Sequence, residues 1–135
     1  MGRANICVVD DDKIFQFTMK LSLKPLNNIG DVNYFNDGLE AIDFIIDCNV
    51  NDKNKMPDII FLDINMPVMD GYQFIEDYRK ISSKLDKTIK IHMLSSSIDP
   101  VDIEKVKNIN EISSYITKPI EKGVLKSVFE DLKLN

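Results

Sequence analysis

Five short apolar runs, separated by longer segments of helical periodicity, constrain the fold of this chain more than any other feature. The predicted strands are Asn5–Val9, Val32–Phe35, Ile59–Leu62, Ile89–Leu94 and Ser114–Thr117. Several of them are nearly all apolar, as strands covered on both faces are expected to be. Because strands that alternate with helices form a parallel sheet through right-handed crossovers, we predict an α/β fold with a doubly wound, five-stranded parallel sheet.

The segments between the strands carry apolar stripes and helix start signals. In the first helix, Ile14, Phe17, Thr18 and Leu21 recur at helical spacing. Aspartates, which favour helix N-termini, precede four of the helices: Asp12, Asp37, Asp70 and Asp99. The polar segment Asn49–Met56 is predicted to be a loose insertion.

Length and charge restrict the classes of protein to be considered. With 135 residues, the chain is predicted to be a single domain over residues 1–135. Its net charge of −5 argues against a nucleic-acid partner, which needs basic surface. No apolar run approaches the roughly 18 residues of a membrane span, and no signal peptide is readable, so we expect a cytoplasmic protein. Cys7 and Cys48 are interpreted as buried apolar residues in a reducing compartment.

Reactive polar groups follow four of the five predicted strands. These groups are Asp10-Asp11-Asp12, Asp63, Ser95-Ser96-Ser97 and Lys118-Pro119. Because the carboxyl ends of parallel strands meet at one edge of the sheet, we expect acids, a hydroxyl and an ammonium group to converge there.

A cluster of acids at one edge is costly unless positive charge joins it. Lys118 supplies one charge, and Mg²⁺ suits a site of carboxylates, a backbone carbonyl, waters and a phosphate oxygen. A carboxylate beside Mg²⁺ and a lysine is a plausible nucleophile toward phosphorus, because both cations stabilise charge on the transferring group. The pattern therefore points to a covalent aspartyl phosphate on Asp63.

Taken together, the strand-end motifs resemble those of the receiver domain of bacterial two-component response regulators. The matching motifs are Val8-Val9-Asp10-Asp11, Asp63-x-x-Met66-Pro67-x-Met69-Asp70-Gly71, Leu94-Ser95-Ser96 and Lys118-Pro119. The match covers nearly the whole chain and implies a (βα)5 flavodoxin-like receiver fold of the stand-alone, chemotaxis-regulator type. One departure is the segment from Asn108 to Ser114, which lacks the Gly-Ala pair that many members carry before the fifth strand.

The resemblance implies a set of metal ligands. Asp63 would be the phosphoacceptor and a ligand to Mg²⁺. Asp11 would bind the ion directly, Asp10 mainly through water, and Asn65 through its backbone carbonyl.

The resemblance also implies a switch. Ser95 would move to bond the phosphoryl group, Tyr115 would be the aromatic switch residue, and Lys118 would pair with the acceptor carboxylate and later with the phosphate. Asn65 and Ser97 would lie beside the path of the water that hydrolyses the phosphate.

The implied function is signalling, not enzymatic turnover. The phosphodonor would be a sensor histidine kinase or a histidine phosphotransfer protein, and the chain would act through an unidentified downstream protein. Nucleic acid and membrane are not expected as partners. Since the chain ends about where the fifth helix does, no attached output domain is expected.

Other interpretations of the same residues remain. An Mg²⁺-dependent phosphatase of the haloacid-dehalogenase type also uses an Asp nucleophile, but it carries a second Asp where this chain has Asn65. A flavodoxin-like cofactor binder would need a phosphate-binding loop where this chain has three aspartates. His92 is expected to be a packed strand residue, not a phosphodonor, and Tyr115 is open to a core role.

Overall fold

The structure is a computed structural model that describes residues 3–96 and 98–132. In these residues, strands and helices alternate along the chain in the predicted (βα)5 order. The strands are β1 (Ala4–Val9), β2 (Ile29–Phe35), β3 (Ile59–Asp63), β4 (Lys90–Ser95) and β5 (Ile112–Thr117). The helices are α1 (Lys13–Leu23), α2 (Gly38–Asn51), α3 (Gly71–Ser82), α4 (Pro100–Lys107) and α5 (Lys122–Glu130).

The strands form one parallel sheet in the order β2-β1-β3-β4-β5. This arrangement confirms the prediction of a doubly wound sheet. Because β1, β3 and β4 are central and nearly continuous in apolar residues, both of their faces are buried. The buried sheet therefore positions the polar groups that follow its strands at its carboxyl edge.

Two apolar cores lie on opposite faces of the sheet. One core contains buried residues of α2, α3 and α4, and the other contains buried residues of α1 and α5. Both cysteines are free and buried, as predicted, and burial raises the pKa of the Cys7 thiol.

The predicted N-caps are present. Asp12 accepts hydrogen bonds from the backbone N–H groups of α1, and Asp37 and Asp99 do the same for α2 and α4. At α3, Asp70 and Gln73 form a reciprocal capping box. These caps fix the residue at which each helix begins after its loop.

Helix α1 is present, as the helical spacing predicted. Its buried residues are Phe15, Met19 and Leu23, whereas Ile14, Phe17 and Leu21 are exposed. Both stripes have helical spacing, and packing against the sheet selects between them.

The segment Asn49–Met56 is not a loose insertion. Helix α2 continues to Asn51, and a 3₁₀ helix follows at Lys53–Lys55. The buried Met56 side chain and a hydrogen bond from Asn5 Nδ2 to the Asn54 carbonyl (2.8 Å) hold the segment against the core. A polar sequence is thus held in a defined conformation by its contact with the start of β1.

Candidate functional site

Three carboxylates meet at the carboxyl ends of β1 and β3. Asp10, Asp11 and Asp63 each offer an oxygen, and these oxygens lie within 4.8 Å of one another. Asp10 and Asp63 are buried, whereas Asp11 is exposed. The part of the chain that the structure describes contains no second group of three or more such ligands. The sequence-predicted acids are therefore brought together at the predicted edge.

Asp10 is held by contacts on both of its carboxylate oxygens. Its Oδ1 accepts a hydrogen bond from the Asp12 backbone N–H at 2.9 Å, and its Oδ2 accepts one from Lys118 Nζ at 2.8 Å. Its backbone N–H donates to the Phe35 carbonyl (2.9 Å), and its own carbonyl accepts from Gln16 Nε2 (2.6 Å). Asp10 is thus a fixed, fully buried charge at the base of the site.

Lys118 reaches the acids from the end of β5. Its Nζ lies 2.8 Å from Asp10 Oδ2, 3.4 Å from Asp63 Oδ1 and 4.9 Å from the centre of the Phe15 ring. Burial lowers the pKa of Lys118, but the hydrogen bond to Asp10 and the charge of Asp63 outweigh that effect, so its pKa is raised. Lys118 is a permanent cation in the site, and its shorter contact is with Asp10.

Asp63 is buried and lies farther from the Lys118 ammonium group than Asp10 does, at 3.4 Å against 2.8 Å. Burial first and the charge of Asp10 second raise its pKa from 3.8 to about 6, against the opposing effect of Lys118. Three carboxylates share one ammonium group, which leaves an excess of negative charge. Carboxylate oxygens in such a cluster are the donors that Mg²⁺ prefers, so the residues fit a hard divalent cation.

The predicted switch residues lie on neighbouring strands. Ser95 is buried at the end of β4, one residue beyond Leu94, which pairs in register with Asp63. The Ser95 carbonyl accepts a hydrogen bond from the Lys118 backbone N–H at 2.8 Å, next to the cis Lys118–Pro119 peptide bond. Tyr115 is half-buried on β5. The ends of β4 and β5 are therefore joined directly beside the acidic cluster.

Asn65 and Ser97 were the two residues expected near the attacking water. Asn65 is exposed, two residues beyond Asp63 in the loop that follows β3. Ser97 lies outside the described residues.

The loop from β3 to α3 is tightly fastened beside Asp63. The Gly71 backbone N–H donates to the Ile64 carbonyl at 2.9 Å, and a Cβ atom at position 71 would lie only 2.7 Å from the Asp63 carbonyl oxygen. A glycine is therefore required there. Val68 adopts a φ of 65°, which is strained for a β-branched residue. The hydrogen bond between Gly71 and Ile64 thus fixes the two ends of the loop from β3 to α3.

Sequence reasoning missed a contact between α3 and α4. The Tyr72 hydroxyl donates to Asp102 Oδ1 at 2.8 Å, and Lys105 Nζ lies 3.8 Å from the centre of the Tyr72 ring. Burial, the bond to Asp102 and the proximity of Tyr115 raise the pKa of the Tyr72 phenol. The contact links the start of α3 with α4. Its only sequence signal is an aromatic residue at the start of α3.

His92 is packed, as predicted. Its ring stacks on Phe61 at 5.8 Å between centroids, and its Nδ1 lies 2.6 Å from Ser114 Oγ. Burial lowers its pKa to about 4, so the ring is neutral at pH 7. His92 does not contribute to the acidic cluster.

A family model described as "Response regulator receiver domain" matches residues 6–130. Among curated proteins, PilG of Pseudomonas aeruginosa is 33% identical over 120 residues, which cover 89% of this chain and 80% of PilG. The sensor histidine kinase CheAY of Helicobacter pylori is 27% identical over 124 residues, which cover 91% of this chain but 14% of the kinase. A two-component response regulator from Cytophaga hutchinsonii has a similar structure, with a TM-score of 0.86, 23% identity and 96% coverage of both chains.

No helix in the described residues is both long enough and apolar enough to cross a membrane.

Proposed function

Because the chain belongs to the response regulator receiver domain family, we propose that it accepts a phosphoryl group on the Asp63 carboxylate. The observation that carries this proposal is the position of Asp63 at the end of β3, with Asp10 and Asp11 within 4.8 Å and Lys118 Nζ at 3.4 Å. The donor is a phosphohistidine on a sensor histidine kinase or a histidine phosphotransfer protein. The similarity to part of a sensor histidine kinase supports this class of donor.

The transfer exchanges one bond to phosphorus for another. A carboxylate oxygen of Asp63 attacks the phosphorus atom, the P–N bond to the donor histidine breaks, and the imidazole leaves as the P–O bond to Asp63 forms. The attacking oxygen must be ionised. With a pKa of about 6, Asp63 is mostly ionised at pH 7, and added positive charge favours ionisation further.

The acidic cluster and one backbone carbonyl would hold Mg²⁺. Asp11 and Asp63 would be direct ligands and Asn65 would contribute its backbone carbonyl. Asp10 would act mainly through water, because both of its oxygens already accept hydrogen bonds. When bound, the ion neutralises charge on the phosphoryl oxygens.

Lys118 provides the second positive charge. Its Nζ lies near both Asp10 and Asp63. A small movement of the long, flexible Lys118 side chain would therefore bring the ammonium group to a phosphoryl oxygen on Asp63. The ion pair with Asp10 keeps the ammonium group in place before transfer. Lys118 therefore acts as a positioned electrostatic partner, not as a proton donor.

Phosphorylation then changes the face formed by α4, β5 and α5. Ser95 bonds the new phosphoryl group, and Tyr115 on β5 changes position with it. The hydrogen bond between the Lys118 backbone and the Ser95 carbonyl supports coupling between the two strand ends. The output is a changed affinity for a downstream protein. We also propose that this activity takes place in the cytoplasm, the location expected from the sequence.

Turnover of external phosphate esters is not part of the proposal. A phosphatase of the haloacid-dehalogenase type needs a second acid as proton donor, and Asn65 has no ionisable group there. Incubation with p-nitrophenyl phosphate and Mg²⁺ tests this point. Sustained release of nitrophenol by the wild type would favour the phosphatase instead.

The direct test of phosphorylation uses acetyl phosphate as a small donor. We expect an intact-mass gain of one phosphoryl group with Mg²⁺, little gain with EDTA, and none in Asp63→Asn. Asp12→Asn is the matched control, because Asp12 caps α1 and lies outside the cluster. An unmodified wild type, or a modified Asp63→Asn, would refute the proposal.

A further inference from the structure

The buried aromatic ring of Phe15 lies beside the ammonium group of Lys118. Lys118 Nζ is 4.9 Å from the centre of the ring, within the roughly 6 Å over which an aromatic face attracts a cation. The same nitrogen is 2.8 Å from Asp10 Oδ2 and 3.4 Å from Asp63 Oδ1. The ammonium group thus contacts two acids and lies close to one aromatic ring.

Burial strengthens the attraction between the ring and the cation. Phe15 is 6% exposed, and the Lys118 side chain is 13% exposed. A cation–π contact is strongest where the cation is desolvated, because water then does not compete for its charge. The described residues contain one other such contact, in which Lys105 lies over Tyr72, but that lysine is exposed. The contact between Phe15 and Lys118 is therefore expected to be the stronger of the two.

The first turn of α1 fixes the position of the Phe15 ring. The Phe15 backbone N–H donates to Asp12 Oδ1 at 3.4 Å, and the Gln16 side chain donates to the Asp10 carbonyl at 2.6 Å. The Phe15 side chain is also part of the apolar core that contains buried residues of α1 and α5. Because the helix cap and the core both hold the ring, it can in turn hold the longer and more flexible lysine side chain.

We propose that Phe15 is a positioning residue, which holds the Lys118 ammonium group beside Asp63 during phosphoryl transfer. This role depends on the proposed function of Asp63 as the phosphoacceptor. As the P–O bond forms, the attacking Asp63 oxygen loses its negative charge, and the phosphoryl oxygens become the new partners of Lys118. The ring attracts the ammonium group throughout this exchange, because the attraction arises from its quadrupole and not from a charge that the reaction removes.

A role in packing alone gives a different expectation. Phe15 fills part of the core, so its truncation would disturb packing whether or not the ring attracts Lys118. Fluorine substituents separate the two roles, because they withdraw electron density from the ring face and leave the shape of the ring nearly unchanged. A cation–π role predicts an effect that grows with the number of fluorines, whereas a packing role predicts little change.

The test places mono-, di- and trifluorinated phenylalanine at position 15 of the whole chain. We expect the rate of Asp63 phosphorylation by acetyl phosphate and Mg²⁺, followed by intact mass, to fall stepwise and by about tenfold for the trifluorinated ring. The same series at Phe74 is the matched control. Phe74 is a buried phenylalanine of α3 that stacks on Tyr78, and among the described residues no cation lies over its ring. Fluorination at position 74 should therefore leave the rate unchanged.

Two measurements in EDTA report on the contact without phosphorylation. Nuclear Overhauser effects should connect the Phe15 ring protons with the side-chain protons of Lys118. Fluorination at position 15 should also lower the urea midpoint more in the wild-type background than in Lys118→Met, which has no ammonium group to attract. The comparison of the two backgrounds removes the effect of fluorine on packing. Circular dichroism checks that each variant is folded.

The possible outcomes distinguish the role of Phe15 from the phosphorylation of Asp63. If Asp63 is phosphorylated at one rate across the series at position 15, or is slowed equally by the series at position 74, Phe15 does not position Lys118, and the assignment of the phosphoacceptor stands. The absence of the Overhauser effects, or equal shifts of the urea midpoint in the two backgrounds, would also overturn the role of Phe15. If wild-type Asp63 takes no phosphoryl group, the proposed function fails and the positioning role fails with it, even where the Overhauser effects are present.

Discussion

Lys118 and Asp10 form a buried ion pair that joins the end of β5 to the end of β1, with 2.8 Å between Nζ and Oδ2. The pair has consequences for Asp63, whose nearest oxygen is 3.4 Å from the same ammonium group. Because Lys118 lies closer to Asp10 than to Asp63, its positive charge compensates the Asp63 carboxylate less than the Asp10 carboxylate. The raised pKa of Asp63 follows from its burial and from this arrangement.

Asp10→Asn should therefore lower the pKa of Asp63 from about 6 toward its unperturbed value of 3.8. The substitution removes the like charge and leaves Lys118 free to approach Asp63. An NMR pH titration of the Asp63 carboxyl carbon in EDTA measures this shift. Asp11→Asn is the matched control, because Asp11 has the smallest effect on Asp63. A larger shift in Asp11→Asn than in Asp10→Asn would contradict the account.

Lys118→Met should destabilise the metal-free protein by about 2–4 kcal/mol, because it leaves the buried Asp10 charge without its partner. Urea unfolding measures the loss. Lys53→Met, which breaks the exposed ion pair with Asp86, should cost less than about 1 kcal/mol. Addition of Mg²⁺ should restore part of the stability lost in Lys118→Met. Equal losses in the two variants would show that burial of the Asp10 pair does not matter.

The pH dependence of stability should contain two opposing contributions. The pKa of Asp63 is raised on folding, so the folded state binds more protons between pH 3.8 and about 6, and stability falls as the pH rises through that window. The pKa of His92 is lowered from 6.5 to about 4, so the unfolded state binds more protons and stability rises with pH between those values.

Single variants separate the two contributions. In Asp63→Asn, stability should rise by about 1–2 kcal/mol from pH 4 to pH 6.5, a range that allows for solvent near these groups. In His92→Gln, stability should fall over the same range. Urea unfolding in EDTA, followed by circular dichroism, measures both slopes. If stability changed in the same direction with pH in both variants, the opposing contributions of Asp63 and His92 would be ruled out.

Tyr72→Phe should destabilise the protein by about 1 kcal/mol, because it removes the hydrogen bond to Asp102 and keeps the ring under Lys105. A double-mutant cycle with Asp102→Ala isolates the bond, since the second substitution should cost little once the hydroxyl is gone. Additive losses would mean that the two side chains do not interact in solution.

The fold was predictable because the strand pattern and the helix start signals of the sequence both agree with it. The central strands are continuous apolar runs, and an aspartate caps the N-terminus of each of the first four helices. Strand β2 begins at Ile29, three residues before the predicted start at Val32. Gly30 and Asp31 are poor strand formers, and pairing with β1 outweighs their local preference.

The side-chain partners were less predictable than the backbone. The stripes Ile14-Phe17-Leu21 and Phe15-Met19-Leu23 are equally helical, so the sequence does not specify how α1 is rotated against the sheet. The convergence of Asp10, Asp11, Asp63 and Lys118 follows from parallel strand order. The preference of Lys118 for Asp10 depends on side-chain geometry across 108 residues of sequence, which no local pattern encodes.

The central claim is that Asp63 is the residue that carries the phosphoryl group, and chemical trapping tests it most directly. An aspartyl phosphate is an acyl phosphate, so borohydride reduces it to homoserine, whereas a phosphoserine is left unchanged. After treatment with acetyl phosphate and Mg²⁺ followed by borohydride, peptide mapping should find homoserine at position 63 alone. Homoserine at position 10 or 11, or a phosphate retained on Ser95, Ser96 or His92, would contradict the claim.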